Sequence, residues 1–490
     1  MRENLLHFIP ELVLIGTILV LFLAAFLASA QQRLFPQIAF VGLLMMLLAN
    51  YGSRDLPAIH FFSGMVTYDA LGHFFKYIFG LVGLMGIIFS HQSAELEKAD
   101  LPSYYTLIIA LILGMVLLAT ASNLLMIYLS LEMVSVLSYI LTGYLRGVRR
   151  SSEAALKYVI YGGVASGMMA YGFSLLYGLT GSMDLTTMAQ YLGANPASRS
   201  LLYVGVLFSM AGFGYKVAAF PFHMWCPDVY EGAPTPFTAI LSVGPKAAGF
   251  AVLIRFFLTA LTHSSASGDF IDFKDTGWPE MIAILSIATM TLGNLTALVQ
   301  SNIKRLLAYS SIAHAGYMLM GLAALNNEAV RAVLFYLVVY AVMNLGAFLV
   351  VIIISNRLGT EQIEDYKGLG HRGSLGLLLA VAMTIFLFSL TGVPPLAGFI
   401  GKFYLFGAVV RAGLYPLAII GVLNSVISLY YYVRVIKLMF FDQPADASPL
   451  SLPVVSHSYV VSGLAILTVY FGLFWNGLAA LTERSAKLLF

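Results

Sequence analysis

Residues 201–236 read LLYVGVLFSMAGFGYKVAAFPFHMWCPDVYEGAPTP. The first half of this stretch is apolar over about the twenty residues that an α-helix needs to cross the hydrocarbon core of a bilayer. It carries one lysine, Lys216, deep in the run, and Pro221 follows shortly afterwards. Proline lacks a backbone N–H and breaks helices, while a charge at membrane depth costs free energy. The stretch therefore predicts a transmembrane helix that is interrupted beside a buried lysine.

The whole chain has the composition of a membrane protein. Of its 490 residues, 60% are hydrophobic and only 10% are charged, whereas a soluble domain has about 25% charged residues. Apolar runs of about twenty residues recur from end to end and predict an all-α polytopic membrane protein with about fourteen transmembrane helices. The predicted spans begin near Leu5, Phe35, Leu71, Tyr104, Asn123, Ala155, Leu201, Phe237, Met281, Ile303, Val330, Leu375, Pro416 and Val455.

Several classes of protein are excluded by simple counts. The single cysteine, Cys226, rules out an intrachain disulfide and a cysteine-ligated cluster within this chain. The formal net charge is +3, and the cations are scattered without forming a basic face. No nucleic-acid partner is therefore expected.

The first apolar run leaves two interpretations open. It extends from Leu5 to Ser29 and ends in Ala28-Ser29-Ala30, a small-residue pattern typical of signal-peptide cleavage. The run is longer than the usual apolar region of a signal peptide. We therefore expect a retained first helix, with a cleaved signal peptide as the alternative.

The distribution of Lys and Arg predicts the orientation. One set of alternate loops is richer in cations, whereas the other set holds single cations such as Arg54 and Lys274. The cation-rich loops are expected on the cytoplasmic side of a bacterial inner membrane. With an even number of spans, both termini then lie on the outer, periplasmic side. The cation-rich set includes Arg33, Lys98, Arg146, Arg149, Arg150, Lys157, Lys304, Arg305, Arg357, Lys367, Arg372, Arg434 and Lys437.

A weak internal repeat divides the chain. Each half contains a proline-interrupted span with a lysine: Lys216 with Pro221, and Lys402 with Pro394-Pro395. Broken helices in corresponding positions point to a transport path. Units of five spans each must lie in opposite orientations. The predicted organisation is helices 1–3 in residues 1–102, helices 4–8 in 103–262, helices 9–13 in 263–441, and helix 14 in 442–490.

Four charged residues fall well within apolar spans: Glu132, Lys216, Lys246 and Lys402. Each costs about 2.5 to 3.5 kcal/mol at mid-bilayer on insertion scales. A structural Glu132–Lys216 ion pair is one explanation, but it leaves the other two lysines without an obvious carboxylate in the membrane. The excess of lysines favours groups that exchange a proton.

Lysine suits proton exchange because burial favours its neutral form and a nearby carboxylate favours its charged form. Glu132 near Lys216 would act as such a switch. His314 and His223 titrate near neutrality and are relay candidates, although each could instead be a hydrogen-bonded packing residue. Pro245, directly before Lys246, should kink or loosen the eighth span, and Pro394-Pro395 should unwind the twelfth.

Two further cations have a simpler explanation. Lys76 and Arg255 lie within reach of a helix end. We expect both to snorkel, with the apolar stem in the membrane and the charged head at the surface.

No cofactor or metal site is expected in this chain. Residues 368–373 match GxGxxG, but they follow a transmembrane helix rather than a strand, so the context of a dinucleotide site is absent. His223 and Cys226 are spaced like two metal ligands, yet a site needs three or four and no others cluster nearby.

The string from Lys216 to Pro236 resembles the signature of the proton-translocating subunits of complex I, which share ancestry with the large subunits of multisubunit sodium/proton antiporters. Its Pro-Asp-Val-Tyr-Glu-Gly-Ala-Pro segment is similar to subunit N, the mitochondrial subunit 2 family. Supporting similarity is found at residues 154–158, 304–317 and 390–403.

This resemblance implies two inverted five-helix repeats with broken helices 7 and 12. It also implies proton translocation through Glu132, Lys216, Lys246 and Lys402, with His314 as an added candidate. Flavin, iron–sulfur clusters and quinone are expected in partner subunits, and none of them in this chain. The expected partners are other membrane subunits of complex I, both antiporter-like and small hydrophobic ones.

The implied function is that of a membrane-arm subunit of an NADH (or ferredoxin)-quinone oxidoreductase, enzymatic only as part of that complex. The alternative is a subunit of a multisubunit cation/proton antiporter.

Overall fold

The computed structural model describes residues 6–27, 31–91, 93–97, 99–195, 199–264, 270–273, 276–443 and 455–486. Several positions used above lie outside these ranges: Leu5, Ala28 to Ala30, Lys98 and Lys274. Within the described ranges the chain is a bundle of α-helices with two short β-hairpins.

The helices follow the hydropathy pattern of the sequence. Their bounds are α1 Ile9–Leu27, α2 Leu34–Ser53, α3 Ala70–Ser90, α4 Leu101–Thr120, α5 Leu124–Thr142, α6 Arg149–Thr180, α7 Leu185–Ala194, α8 Arg199–Val217, α9 Trp225–Gly232, α10 Thr235–Ala260, α11 Trp278–Ala297, α12 Ile303–Ala323, α13 Asn327–Leu358, α14 Gly373–Thr391, α15 Ala397–Arg411, α16 Tyr415–Phe440, α17 Val455–Leu473 and α18 Asn476–Ala486.

The predicted number of spans is confirmed. Thirteen helices of the described residues are long and apolar enough to cross a membrane, and counting the bent pair formed by α17 and α18 as one span gives fourteen. Every predicted span corresponds to one of these helices. The short helix α7 lies between spans six and seven.

Two hairpins occupy the connections between spans. Strands β1 (Ile59–Phe61) and β2 (Val66–Tyr68) pair antiparallel, with Ile59 opposite Tyr68. Strands β3 (Thr262–Ser264) and β4 (Phe270–Asp272) pair antiparallel, with Thr262 opposite Asp272.

The seventh and twelfth spans are broken, as predicted. The seventh consists of α8 and α9, and the chain leaves the helix at Ala218, which has φ +59°. The twelfth consists of α14 and α15, and Gly392 ends α14 with φ +92°. The prolines that follow supply no N–H to the preceding turn, so neither helix continues through its break.

Helices in corresponding positions of the two halves have matching lengths. Helices α4 and α11 have 20 residues each, α6 and α13 have 32, and α10 and α16 have 26. The caps also correspond. Asn123 caps α5 by accepting from the Leu125 N–H, and Asn302 caps α12 by accepting from the Lys304 N–H.

Three helices occupy the centre of the bundle. The most apolar part of α10 is completely buried, and the most apolar parts of α12 and α13 are 94% buried. Helix α10 runs without interruption through Pro245. Because Pro245 has no N–H, the usual hydrogen bond to the Leu241 carbonyl is missing there.

The expectation that Lys76 and Arg255 snorkel is wrong. Lys76 is 1% exposed, and its Nζ lies 2.8 Å from Glu11 Oε1. Arg255 is 4% exposed and pairs with Asp69. Both cations find a carboxylate on another element, and pairing offsets much of the cost of removing a charge from water.

Candidate functional site

Lys216, which is buried, and Glu132, which is half-buried, form the first part of a series of ionisable side chains inside the protein. Lys216 lies at the end of α8 with 1% exposure, and its Nζ donates to Ser135 Oγ at 2.9 Å. Ser135 follows Glu132 by three residues on α5, so both side chains share one face of that helix. Because Lys216 contacts Ser135, Glu132 lies on the face of α5 that is turned toward the lysine. Within the described residues no cation lies within 4 Å of Glu132, so the direct ion pair is not formed.

The break in the seventh span holds Lys216 against the central helix α10. A Cβ at Gly249 of α10 would lie 2.7 Å from Val217 Cγ1 and 3.2 Å from Lys216 Cγ. Glycine therefore lets α8 approach α10 closely, three residues beyond Lys246. The Trp225 indole donates to the Tyr215 carbonyl at 3.1 Å and closes the broken turn.

Lys246 is held by hydroxyl groups rather than by a carboxylate. It is 1% exposed, and its Nζ donates to Ser311 Oγ at 2.5 Å. Ser311 also accepts from Tyr340 Oη at 2.8 Å. No carboxylate in the described part of the chain forms an ion pair with Lys246. The amine thus has a neutral, hydrogen-bonding environment.

His314 lies one turn after Ser311 on α12 and is 2% exposed. Its Nδ1 lies 2.6 Å from Tyr336 Oη, and its Nε2 lies 3.4 Å from Tyr432 Oη. Ser311, which contacts Lys246, lies one turn before His314 on α12, and Tyr317, whose ring lies 4.6 Å from Lys402 Nζ, lies one turn after it. Along α12 the histidine therefore stands between the contacts of the two lysines.

Lys402 is held at the break of the twelfth span with 3% exposure. Its Nζ donates to the Thr391 carbonyl and to Ser425 Oγ, both at 2.8 Å, and lies 4.6 Å from the centre of the Tyr317 ring. The residue four positions after Thr391 is Pro395, which has no N–H. The helix break therefore leaves the Thr391 carbonyl available to the lysine.

His223 is not brought into this series. It lies in the break between α8 and α9 with 2% exposure. Its Nδ1 is buried and has no hydrogen-bond partner among the described residues. Its ring lies 5.8 Å from that of Phe220, which is a packing contact.

The hydroxyl partners of the lysines were not predicted from the sequence. Serine, threonine and tyrosine are common in transmembrane helices, so their presence alone gives no signal. Only Ser135 could have been suspected from the sequence, because it lies on the same helical face as Glu132. The missed residues are Ser135, Ser311, Tyr336, Tyr340, Tyr432 and Ser425, together with the Thr391 carbonyl.

A charged cluster links the two halves at the end of the seventh span. Arg305, at the start of α12, donates to Asp228 Oδ1 and to Glu231 Oε2 of α9, both at 2.7 Å. Next to it, Lys304 donates to Glu361 at 2.9 Å and to the Ala233 carbonyl at 2.9 Å. These contacts tie the broken helix of the first half to the helix that carries Ser311 and His314.

The donor sets do not favour a metal or nucleotide. Among the described residues, no three His, Cys, Asp or Glu side chains are grouped as metal ligands. In the GxGxxG string, a Cβ at Gly370 would lie 3.0 Å from Phe440 Cδ1. The small residue at 370 thus serves packing against α16. Buried amines, imidazole and hydroxyls are instead groups that carry protons.

Comparison with known proteins gives consistent matches. The family described as NADH:quinone oxidoreductase/Mrp antiporter, TM, matches residues 121–428. NADH-quinone oxidoreductase subunit N 2 of Chloroherpeton thalassium is 46% identical over 489 residues, which cover 98% of this chain and 94% of that protein.

Solved structures share the fold. A chain of respiratory complex I from Thermus thermophilus superposes with a TM-score of 0.80 at 29% identity, covering 96% of this chain and 98% of the other. A chain of the Mrp complex from Dietzia sp. gives a TM-score of 0.84 at 20% identity, covering 98% and 97%. At that identity the second match shows the fold alone.

Proposed function

The chain belongs to the NADH:quinone oxidoreductase/Mrp antiporter membrane family, and from this premise we propose that it is the subunit N-type, proton-translocating subunit of a complex I-type NADH-quinone oxidoreductase. It works in the membrane arm of a bacterial respiratory complex, beside other antiporter-like subunits. The observation that carries the proposal is a series of three buried lysines, none of which forms an ion pair with a carboxylate among the described residues.

Each residue has a distinct part in the proposed relay. Glu132 favours the charged form of Lys216, and removal of that influence favours release of the proton. Lys246 is the next carrier, with Ser311 and Tyr340 as its hydrogen-bond partners.

His314 joins the two halves of the relay, since its two nitrogens contact Tyr336 and Tyr432. Lys402 completes the series. The freed Thr391 carbonyl and Ser425 bind its charged form.

We infer two inverted repeats at residues 103–262 and 263–441, between helices 1–3 (1–102) and helix 14 (442–490). The matching helix lengths and the corresponding caps Asn123 and Asn302 support this division. The cation-rich loops support a cytoplasmic location for that side and an outer location for both termini.

A tagged copy of the chain tests the function directly. We expect it to purify with the other membrane subunits of the complex and with subunits that carry flavin and iron–sulfur clusters. After reconstitution into vesicles, NADH-driven quinone reduction should acidify the lumen. Purification with antiporter subunits, together with quinone-independent cation/proton exchange, would instead support the antiporter alternative, for which the Dietzia match supports only the fold.

The chain itself is expected to bind no redox cofactor. Purified alone in detergent, it should show no flavin or iron absorbance and no heat of NADH binding by calorimetry, because the GxGxxG string lacks the strand–helix context of a dinucleotide site. The assembled complex provides the positive control. Stoichiometric NADH binding to the isolated chain would contradict this prediction.

Removing the hydroxyl at Ser311 is expected to slow proton translocation. Ser311→Ala deletes the group that accepts from both Lys246 and Tyr340, and a lost hydrogen bond to a charged group costs about 1.5 to 3 kcal/mol. The rate of quinone-coupled pumping should fall by about tenfold or more.

Ser286→Ala is the matched control for this variant. Ser286 is equally buried, but its hydroxyl donates to the Gly316 carbonyl and is hydrogen-bonded to no lysine among the residues that the structure describes. It should leave pumping near the wild-type rate. Equal pumping by both variants would remove Ser311 from the relay.

A further inference from the structure

The central helix α10 has a weak point directly before its lysine. Pro245 removes the hydrogen bond to the Leu241 carbonyl, and such positions are where helices bend. Lys246 follows at once, and its Nζ contacts Ser311 at 2.5 Å. The geometry of that contact therefore depends on what fixes the rest of α10, residues 247–260.

Arg255 connects this part of α10 to other elements by hydrogen bonds. Its two terminal nitrogens donate to the two carboxylate oxygens of Asp69 at 2.8 and 3.0 Å, and its Nε donates to the Ala119 carbonyl at 3.1 Å. A bidentate arginine–carboxylate contact is directional as well as strong. Ala119 lies in the last turn of α4, where carbonyls lack a donor within the helix. The guanidinium thus joins α10, α4 and the start of α3.

Asp69 is itself held in place. It is the N-cap of α3, and its Oδ1 accepts from the Gly72 N–H at 2.8 Å. The residue is 6% exposed. The carboxylate therefore serves as a fixed point for Arg255.

Two further ionisable side chains lie on the same face of α3 as Asp69 and form a row with it. His73 and Lys76 follow Asp69 by four and seven residues, which is the spacing of one helical face. His73 Nδ1 lies 2.7 Å from Asn50 Oδ1 of α2, and Lys76 Nζ lies 2.8 Å from Glu11 Oε1 of α1. Each member of the row contacts a different helix, and all are at most 7% exposed.

Buried ion pairs are seldom a net source of stability compared with apolar side chains, but their directional contacts can select one arrangement of elements. We propose that this row, Asp69, His73 and Lys76, together with Glu11 and Arg255, anchors α10 to the first three helices and so positions Lys246 against Ser311. Arg255 and Asp69 are positioning residues, since they touch no relay side chain in the described structure. The inference rests on the proposed role of Lys246.

The test removes both charges of the Arg255–Asp69 pair at once. Arg255→Met combined with Asp69→Asn leaves no unpaired buried charge and keeps a good N-cap residue. The complex should assemble with unchanged subunits. Because small misplacements of reacting groups cost up to about a hundredfold, pumping per quinone reduced should fall by about tenfold with a shifted pH profile. Arg54→Met with Asp55→Asn, the same change at an exposed pair, should pump normally.

The single variant Arg255→Lys separates positioning from charge. It keeps an ammonium beside Asp69 but loses the bidentate contact. The pumping rate should therefore lie between those of the wild type and the double variant. This intermediate also decides the matter if the double variant does not assemble. Wild-type pumping and pH profile in Arg255→Lys and in any assembled double variant would overturn the anchor.

Lys246→Met distinguishes this inference from the function on which it rests. Loss of pumping in Lys246→Met, with normal pumping in the anchor variants, would overturn the anchor alone. Normal pumping in Lys246→Met would remove Lys246 from the relay and the anchor's role with it.

Discussion

Quinone-coupled proton pumping is expected to fall by at least about tenfold in an assembled complex that carries Lys216→Ala. Alanine removes the Lys216 amine at the break of the seventh span, together with its hydrogen bond to Ser135. No other described side chain could replace it there: Glu132 is an acid on the neighbouring helix, and His223 stands outside the series. Losing one charged hydrogen-bonding group costs about 1.5 to 3 kcal/mol, which corresponds to about a tenfold to a hundredfold change in rate.

The measurement compares lumen acidification with quinone reduction in the same vesicles. Lys367→Ala is the control, because Lys367 lies in a loop, is 42% exposed at its side chain and pairs with Glu364. Glu132→Gln should resemble Lys216→Ala, since it keeps the shape of the side chain but removes the charge that favours the lysine ammonium. Normal pumping in fully assembled Lys216→Ala complex would count against the switch role of Lys216.

Lys402→Arg is expected to abolish pumping although it keeps a positive charge. The relay needs a group that gives up its proton, and arginine does not release its proton in proteins. Moving one charge across 100 mV costs about 2.3 kcal/mol, so the outer side must close when the cytoplasmic side opens. We propose Lys402 as the outer gate, which binds a proton between the Thr391 carbonyl and Ser425 and then releases it outward.

Two further replacements at this position separate charge from proton exchange. Lys402→Ala should also block pumping, because it removes the carrier. Lys402→Glu should retain part of the activity, because a carboxylate also binds and releases a proton. Subunit composition must be checked for each variant by gel electrophoresis of the purified complex. Full pumping by Lys402→Arg would show that this residue need not titrate, and the gate assignment would be wrong.

The resemblance in the sequence identified the family, and local pattern located the elements of the site. Apolar run length specifies where the chain crosses the bilayer, and Pro221 and Pro394-Pro395 specify where two spans break. Both effects depend on the local sequence alone, so they can be recognised without knowledge of any tertiary contact. The same holds for the unusual depth of Lys216, Lys246 and Lys402, since the cost of a charge in hydrocarbon needs no tertiary contact.

Tertiary packing alone decided what each buried charge contacts. Ser311 is 65 residues from Lys246, Ser135 is 81 from Lys216, and Asp69 is 186 from Arg255. Such pairs depend on how whole helices are rotated and spaced relative to one another. Close packing at Gly249 and similar positions sets this arrangement. The sequence predicted that the charged head of Arg255 reaches the membrane surface, whereas the structure buries it. The fold brings Asp69 to that cation, and a paired charge in the interior needs no route to water.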